Sequence, residues 1–290
     1  EIGVRLVGSE MCIRDRVKIG ITQIVEHQSL DDVCQGVIDS LKANGYGEDK
    51  IEISYKNAQG DFGTAQMIAQ EFKNTSDIVV AISTPSAQAA VNNIKDKPIF
   101  FSAITNPESA GVLAENVTGV SDRSPVKKQV ELIKELLPEA KKIGIVYNTS
   151  EQNSFYLTDE FKKEAEKNGY VVVVKGITNV NEIASALDTI LPEVDVLYTT
   201  IDNTIASTYP LIIDKSKKDN KPVIGATKSY VDQGALASEG ISDYKVGYQT
   251  GEMIVRYLKG EDIKNMKFEV VRESERYITV SYTHLRAHET

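Results

Sequence analysis

The sequence predicts an α/β protein with two similar Rossmann-like lobes, each built on a parallel sheet and joined to the other by a multi-strand hinge. Strand-like apolar runs alternate with helical segments along residues 17–280, which is the pattern of repeated βαβ units. The pattern also recurs at an offset of 124 residues in three pairs: Gly20 and Gly144, Gly45 and Gly169, Lys97 and Lys221. This common spacing indicates two copies of one unit.

The composition is that of a globular protein with a small-molecule or protein partner. The 290 residues are 41% hydrophobic and 26% charged, and the net charge is −9. Nucleic acid and anionic membrane surfaces would repel such a chain, so neither is expected as its main partner. No apolar run approaches the roughly 20 residues needed to span a bilayer.

The two ends look foreign to the rest of the chain. Residues 1–16 and 281–290 resemble translated sequencing-adapter read-through, and we treat them as non-native tails; an ordinary disordered terminus is the other interpretation. A native signal peptide or lipid-anchoring cysteine cannot be read from them. Residues 17–280 contain one cysteine, Cys34, and one histidine, His27, so we expect no disulfide, zinc site or other metal site, and no cofactor.

The first unit begins with a buried strand at 17–22 and a helix from a Ser29 cap to Ala43. Further strands are expected at 51–55, 78–82 and 97–102, with a helix at about 63–74. The central strand runs directly into an alanine-rich helix that has Pro85 in its first turn. Ser83, Thr84 and Ser86 lie at this junction, where free N–H groups favour an anion. Simple capping of the helix is the alternative interpretation.

The second unit repeats the strands at 142–146, 195–199 and 221–224, with a crossing strand at 117–120 before it. A helix is expected from Ser124-Pro125 to Leu137, another at 243–258, and a last strand at 268–271. We therefore expect lobe 1 to comprise residues 17–120 and 238–265, and lobe 2 to comprise residues 121–237 and 266–280. Hinge crossovers are expected near Val120, Ala237 and Met266.

Ligands of open parallel sheets bind beyond the carboxyl ends of the strands. The candidate ligand-binding residues at those ends are hydroxyls, amides, aromatics and one carboxylate: Gln23, His27, Ser83, Thr84, Ser86, Ser102, Ala103, Thr105, Tyr147, Asn148, Asn153, Asp202, Asn203 and residues 227–230, which include Ser229. An offset of 118 residues places Asp202 opposite Thr84. Donors in one lobe and an acid in the other suit a zwitterionic amino acid. Capping of the following helix is an equally open role for Asp202.

Catalytic signatures are lacking. The chain has no phosphate-binding glycine loop, no Gly-x-Ser-x-Gly elbow and no His-Glu-x-x-His, and a Ser/His/Asp set could use only His27. As a lone histidine before a helix, His27 is better explained as a hydrogen-bonding loop residue than as a metal ligand. We therefore do not expect an enzyme.

Six stretches together resemble one family: 19–23, 83–88, 103–107, 118–122, 144–148 and 229–235. The chain is similar to ABC-transporter substrate-binding proteins of the type I periplasmic-binding fold, in the family associated with tryptophan and tyrosine uptake. The likeness covers residues 17–280 and adds Asp122 to the candidate site. It implies a monomeric, extracytoplasmic solute-binding component, periplasmic or a cell-surface lipoprotein. Such a protein would close two lobes over an aromatic amino acid (Trp, Tyr or Phe) and deliver it to ABC permease subunits.

Two other classes remain open at this point. One is an enzyme that uses the same cleft, and the other is the ligand-sensing domain of a transcriptional regulator. No DNA-binding helix-turn-helix precedes Val17, which disfavours the regulator.

Overall fold

A computed structural model describes residues 16–279 and contains two six-stranded sheets. The strands of the first sheet are β1 (Val17–Gln23), β2 (Ile51–Asn57), β3 (Ile78–Ile82), β4 (Ile99–Ser102), β5 (Val117–Ser121) and β11 (Glu269–Val270). Those of the second sheet are β6 (Lys142–Asn148), β7 (Val171–Ile177), β8 (Val196–Thr199), β9 (Val223–Thr227), β10 (Ala237–Ile241) and β12 (Glu275–Ile278).

The two sheets have the same strand order, which confirms the internal repeat. The first runs β11-β5-β4-β3-β1-β2 and the second runs β12-β10-β9-β8-β6-β7. All pairings are parallel except that of β12 with β10. The repeat extends to single side chains. Asp77 accepts a hydrogen bond from the backbone N–H of Lys18, and its counterpart Asp195 accepts two, from Lys141 and Lys142, all at 2.8 Å.

Ten helices of the described residues cover the sheets. They are α1 (Gln28–Ala43), α2 (Phe62–Thr75), α3 (Thr84–Asn93), α4 (Val126–Leu136), α5 (Gln152–Lys167), α6 (Ile183–Ile190), α7 (Asn203–Ser207), α8 (Tyr209–Lys218), α9 (Lys228–Asp232) and α10 (Asp243–Leu258). Short 3₁₀ turns lie at 180–182, 191–193 and 263–265. None of the described helices is long and apolar enough to cross a membrane.

Helix α10 returns to the first lobe and packs along α1. A Cβ atom at Gly247 would lie 1.9 Å from the carbonyl oxygen of Val33, and one at Gly36 would lie 2.2 Å from that of Tyr244. Only glycine allows the two helices to approach this closely. Val246 and Ile254 join the core of the first lobe as a result. The core of the second lobe forms two apolar clusters of buried side chains.

Two of the expected lobe boundaries differ from the sheet membership. β10 lies in the second sheet, so the chain returns to the first lobe at Ser242 and not at residue 237. β11 lies in the first sheet, so the last crossover is the segment 271–274 and not Met266. Ser238, Glu239 and Gly240 give β10 no apolar run, which is why the sequence pattern missed it. The first crossover follows Ser121, one residue after the expected position.

Of the two tails, residues 1–15 and 280–290 lie outside the described residues. Arg16 is described, and its guanidinium forms an exposed ion pair with Glu52 at 2.9 Å.

Candidate functional site

A small cavity lies between the lobes at the carboxyl ends of both sheets. Eleven of the predicted site residues line it: His27, Ser83, Thr84, Ala103, Thr105, Asp122, Asn153, Asp202, Asn203, Thr227 and Tyr230. The apolar part of the wall comes from Leu30, Ile201, Ala206 and the ring of Tyr230. No lysine or arginine is among the described residues that line the cavity.

Seven predicted site residues do not line the cavity and have structural partners instead, among them Lys228, which donates to Asp232. Gln23 donates to Asp31 at 2.8 Å, Ser102 shares a hydrogen bond of 2.8 Å with Thr250, and Ser86 lies 3.5 Å from Ser83. Tyr147 packs against the core of the second lobe. Asn148 donates to Thr204, which does not line the cavity, and Ser229 donates to the cavity residue Asp243.

The start of α3 supplies hydrogen-bond donors on the first lobe. Ser83 precedes the helix with φ of +83° and ψ of 157°, and its side chain makes no capping hydrogen bond, so simple capping does not explain this residue. A non-glycine residue with positive φ is strained, and such strain tends to occur at functional sites. Ala103, at the end of the neighbouring strand, also has a positive φ of +57°. Both residues line the cavity.

Asp202 caps α7, one of the two roles expected from the sequence. Its Oδ1 accepts from the N–H of Ile205 at 2.9 Å, and its Oδ2 accepts from the N–H of Asn148 at 2.6 Å and from the hydroxyl of Ser154. Burial and the nearby Glu151 carboxylate raise the pKa of Asp202, against the effect of these donors. Its structural counterpart in the first lobe is the N-cap Ser83, one residue before the expected Thr84.

Two further acids of the cavity lie where the chain crosses between the lobes: Asp122 directly follows β5, and Asp243 begins α10, two residues after the end of β10. Burial raises the pKa of Asp122 to about 6, and Oδ1 has no hydrogen-bond partner among the described residues. Thr105 lies close enough to oppose the shift, but its hydroxyl does not meet the geometry of a hydrogen bond to Oδ1. Burial, with the Asp122 charge adding to it, raises the pKa of Asp243 to about 7.

Four hydrogen bonds join the lobes around the cavity, one of them the bond of 2.6 Å from Ser229 to Asp243 at the start of α10. His27 Nε2 lies 3.2 Å from Asn203 Oδ1, the hydroxyls of Ser29 and Ser229 are 2.6 Å apart, and Gln152 donates to Ser109 at 2.9 Å. The cleft is therefore closed in this structure. The expectation that Ser29 caps α1 was wrong, because the N-cap is His27 and the Ser29 hydroxyl reaches the other lobe instead.

Sequence reasoning also missed Ser29, Leu30 and Asp243 as cavity residues. All three lie in the first turn of a helix, where serine and aspartate are common for local reasons. Asp243 follows a strand that was not predicted, so it could not be placed at a strand end. Among the described residues, no group of three histidine, cysteine or acidic side chains could hold a metal ion.

The family model for ABC transporter substrate-binding proteins matches residues 18–284. The chain belongs to the ABC transporter substrate-binding protein family. It is 42% identical, over 89% of its length and 77% of the relative, to the tyrosine-binding protein of Clostridioides difficile strain R20291. The sequence-based expectation of an extracytoplasmic binding protein that works with ABC permeases is confirmed at the level of the family.

Two solved structures of similar sequence differ in how well they superpose on this member of the family. An ABC domain from Streptococcus pneumonia in complex with L-Trp is 37% identical, covers 93% of this chain and 94% of its own, and has a TM-score of 0.89. The ligand-free, open structure of a substrate-binding protein from Clostridium difficile is 42% identical, covers 91% and 92%, and has a TM-score of only 0.69. The lower score at higher identity agrees with the closed cleft described above.

The fold extends to more distant substrate-binding proteins. A leucine-binding protein from Thermotoga maritima is 12% identical, covers 84% of this chain and 83% of its own, and has a TM-score of 0.64. The prediction of a type I periplasmic-binding fold is thus confirmed.

Proposed function

We propose that this substrate-binding protein captures a free aromatic amino acid in the closed cavity and delivers it unchanged to its permease. The observation that carries the proposal is the lining of the cavity, which combines the Thr84 hydroxyl at the start of α3, an unpaired carboxylate oxygen of Asp122 and several apolar side chains. A tyrosine-binding relative and a relative solved with L-Trp support the choice of ligand.

The ligand carboxylate would bind at the start of α3. The first N–H groups of a helix have no partner within it and favour negative charge. The hydroxyls of Ser83 and Thr84 add two donors that lie beside them, and Thr84 makes no side-chain hydrogen bond to other described residues. A carboxylate can be held there without a lysine or arginine.

The ligand ammonium would bind at Asp122. This carboxyl is buried and lines the cavity, and Oδ1 has no partner, whereas both oxygens of Asp202 are already hydrogen-bonded. The role first expected for Asp202 is therefore better suited to Asp122. The aromatic ring would pack on Leu30, Ile201 and Tyr230. Tyr230 is held in place because it stacks on Tyr209 with ring centroids 4.2 Å apart.

Calorimetric titration of residues 17–279 with the twenty amino acids tests the proposal. We expect binding of tyrosine, tryptophan or phenylalanine, and recovery of the unchanged ligand by mass spectrometry after release. Failure of all three to bind, or conversion of the ligand to a product, would contradict it. The same preparation should sediment as a monomer, while lipid anchoring of the native chain stays a prediction.

Replacing Thr84 with Val should weaken amino-acid binding by about 1–3 kcal/mol, because the ligand carboxylate would lose a buried donor. Thr189→Val is a matched control, since Thr189 is an exposed helical residue whose hydroxyl donates to the Ser185 carbonyl. Unchanged affinity together with lower stability would show that Thr84 has only a structural role.

Ligand should also close the cleft in solution. The crossovers after Ser121, at Ser242 and at 271–274 are the only covalent connections between the described lobes, so rotation about them separates the lobes. Small-angle X-ray scattering should show a smaller radius of gyration with saturating ligand than without it. A radius that does not change on saturation would argue against hinge closure.

A further inference from the structure

The structure determines the orientation of the Asn203 side chain. Its Nδ2 donates to Glu151 Oε2 at 2.6 Å, and its backbone N–H donates to the same oxygen at 3.1 Å. A reversed amide would place the amide oxygen against the carboxylate oxygen, which is repulsive. Oδ1 of Asn203 therefore faces His27 in the other lobe, 3.2 Å from Nε2.

The orientation of Asn203 in turn determines the tautomer of His27. An amide oxygen can only accept, so Nε2 of His27 must carry a hydrogen. Burial lowers the pKa of His27 to about 4, against the effects of Asn203 and Glu151, and the ring is therefore neutral at neutral pH. Nδ1 then keeps its lone pair. It is inaccessible to solvent and has no hydrogen-bond partner among the described residues.

A buried acceptor without a hydrogen-bond partner lowers the stability of the protein. An acceptor of this kind on a residue that lines a ligand cavity can be satisfied by a donor on the ligand. We propose that His27 Nδ1 accepts a hydrogen bond from the ring O–H or N–H of the bound amino acid and so selects ring-donor ligands over phenylalanine. Leu30 and His27 both line the cavity from the start of α1, which gives this wall one acceptor beside an apolar side chain. The ammonium has a stronger acceptor in the unpaired Oδ1 of Asp122.

The proposed selection depends on closure of the cleft, because the histidine and the residues that determine its tautomer belong to different lobes. His27 comes from the first lobe, while Asn203 and Glu151 come from the second. In an open cleft the imidazole can carry its hydrogen on either nitrogen. Closing brings Asn203 to Nε2 and leaves Nδ1 as the acceptor. A ligand with a ring donor therefore favours the closed state more than one without it.

The inference rests on the proposed function and can be tested separately from it. Tyrosine is compared with phenylalanine, and tryptophan with 3-benzothienylalanine, by calorimetry on wild type and on His27→Leu. Wild type should prefer the donor ligand of at least one pair by about tenfold, as expected for one buried hydrogen bond. His27→Leu should abolish that preference with much less effect on the ligand that lacks the donor. Gln28→Ala, an exposed neighbour that contacts Asp32, should keep the preference.

A second measurement does not depend on the variant. In ¹⁵N NMR of wild type with bound tyrosine or tryptophan, His27 should show the neutral tautomer with hydrogen on Nε2. An Nδ1–H tautomer, or a preference that His27→Leu leaves intact, would overturn the inference alone. If no aromatic amino acid binds to wild type, the proposed function fails and the inference fails with it.

Discussion

Asp122→Asn should weaken amino-acid binding by about 2–5 kcal/mol, which is at least 30-fold in affinity. The ligand ammonium would lose the buried carboxylate that neutralises it, and Asp122 is the one acid among the described cavity residues with a fully buried oxygen that has no hydrogen-bond partner. Asp96→Asn removes the same charge from an exposed site and should leave affinity unchanged.

Two further measurements make this result specific. The analogue 3-(4-hydroxyphenyl)propionate, which lacks the amino group, should bind wild type weakly and lose little more in Asp122→Asn. The free energy of unfolding should stay the same or rise, because burial raises the pKa of Asp122 and thus disfavours its ionised form. Equal losses of affinity for tyrosine and for this analogue would contradict an ammonium site at Asp122.

The pKa of Asp122 also gives the sign of the pH dependence. An ammonium stabilises the carboxylate, so bound ligand lowers the pKa from its free value of about 6. Affinity is then fully present above about pH 6 and falls as the pH drops below it, by at most about tenfold per pH unit for one group. Asp122→Asn should reduce the slope below pH 6.

Asp202→Asn should lower the free energy of unfolding by about 2–4 kcal/mol. Asparagine is as good an N-cap as aspartate, so the cap of α7 alone would not cause this loss. The difference is that both oxygens of Asp202 accept from donors, and an amide would turn its NH₂ group towards at least one of them.

The matched control is Asp61→Asn at the exposed N-cap of α2. Asp61 Oδ1 accepts from the backbone N–H and the hydroxyl of Thr64, and asparagine can keep an oxygen there. Chemical denaturation of both variants measures the contrast. If Asp202→Asn is no less stable than Asp61→Asn, the hydrogen bonds to Asn148 and Ser154 contribute little.

The sequence was sufficient for the fold because apolar strands and helix ends are local signals. The bounds expected for α10, 243–258, are those observed, since Ser242 caps its start and Lys259-Gly260 end it. The spacing of the repeated motifs was sufficient to predict two similar lobes, and two copies of one unit are expected to share a strand order. β10 was missed because several of its buried residues are polar. Their burial depends on the tertiary structure, and no local sequence pattern indicates it.

The site was predictable only in outline. Strand ends identified Ser83, Thr84 and Asp202, but which oxygens remain unpaired depends on partners that are distant in sequence. Ser154 and Asn148, 48 and 54 residues away, determine that Asp202 is satisfied. Ser29 and Ser229 lie 200 residues apart and meet only because the lobes close. Contacts between residues so far apart cannot be predicted from local patterns in a single sequence.

The buried acids of the cavity have a consequence for the transport cycle. Three buried carboxyls, Asp122, Asp202 and Asp243, line a closed space to which the described residues bring no cationic side chain. Closing the empty protein would bury this imbalance, and under the proposed binding mode the cargo's own ammonium would act as a counter-ion. A permease that recognises the closed form would then rarely meet an empty carrier. The buried acids would thereby limit futile docking that moves no solute across the membrane.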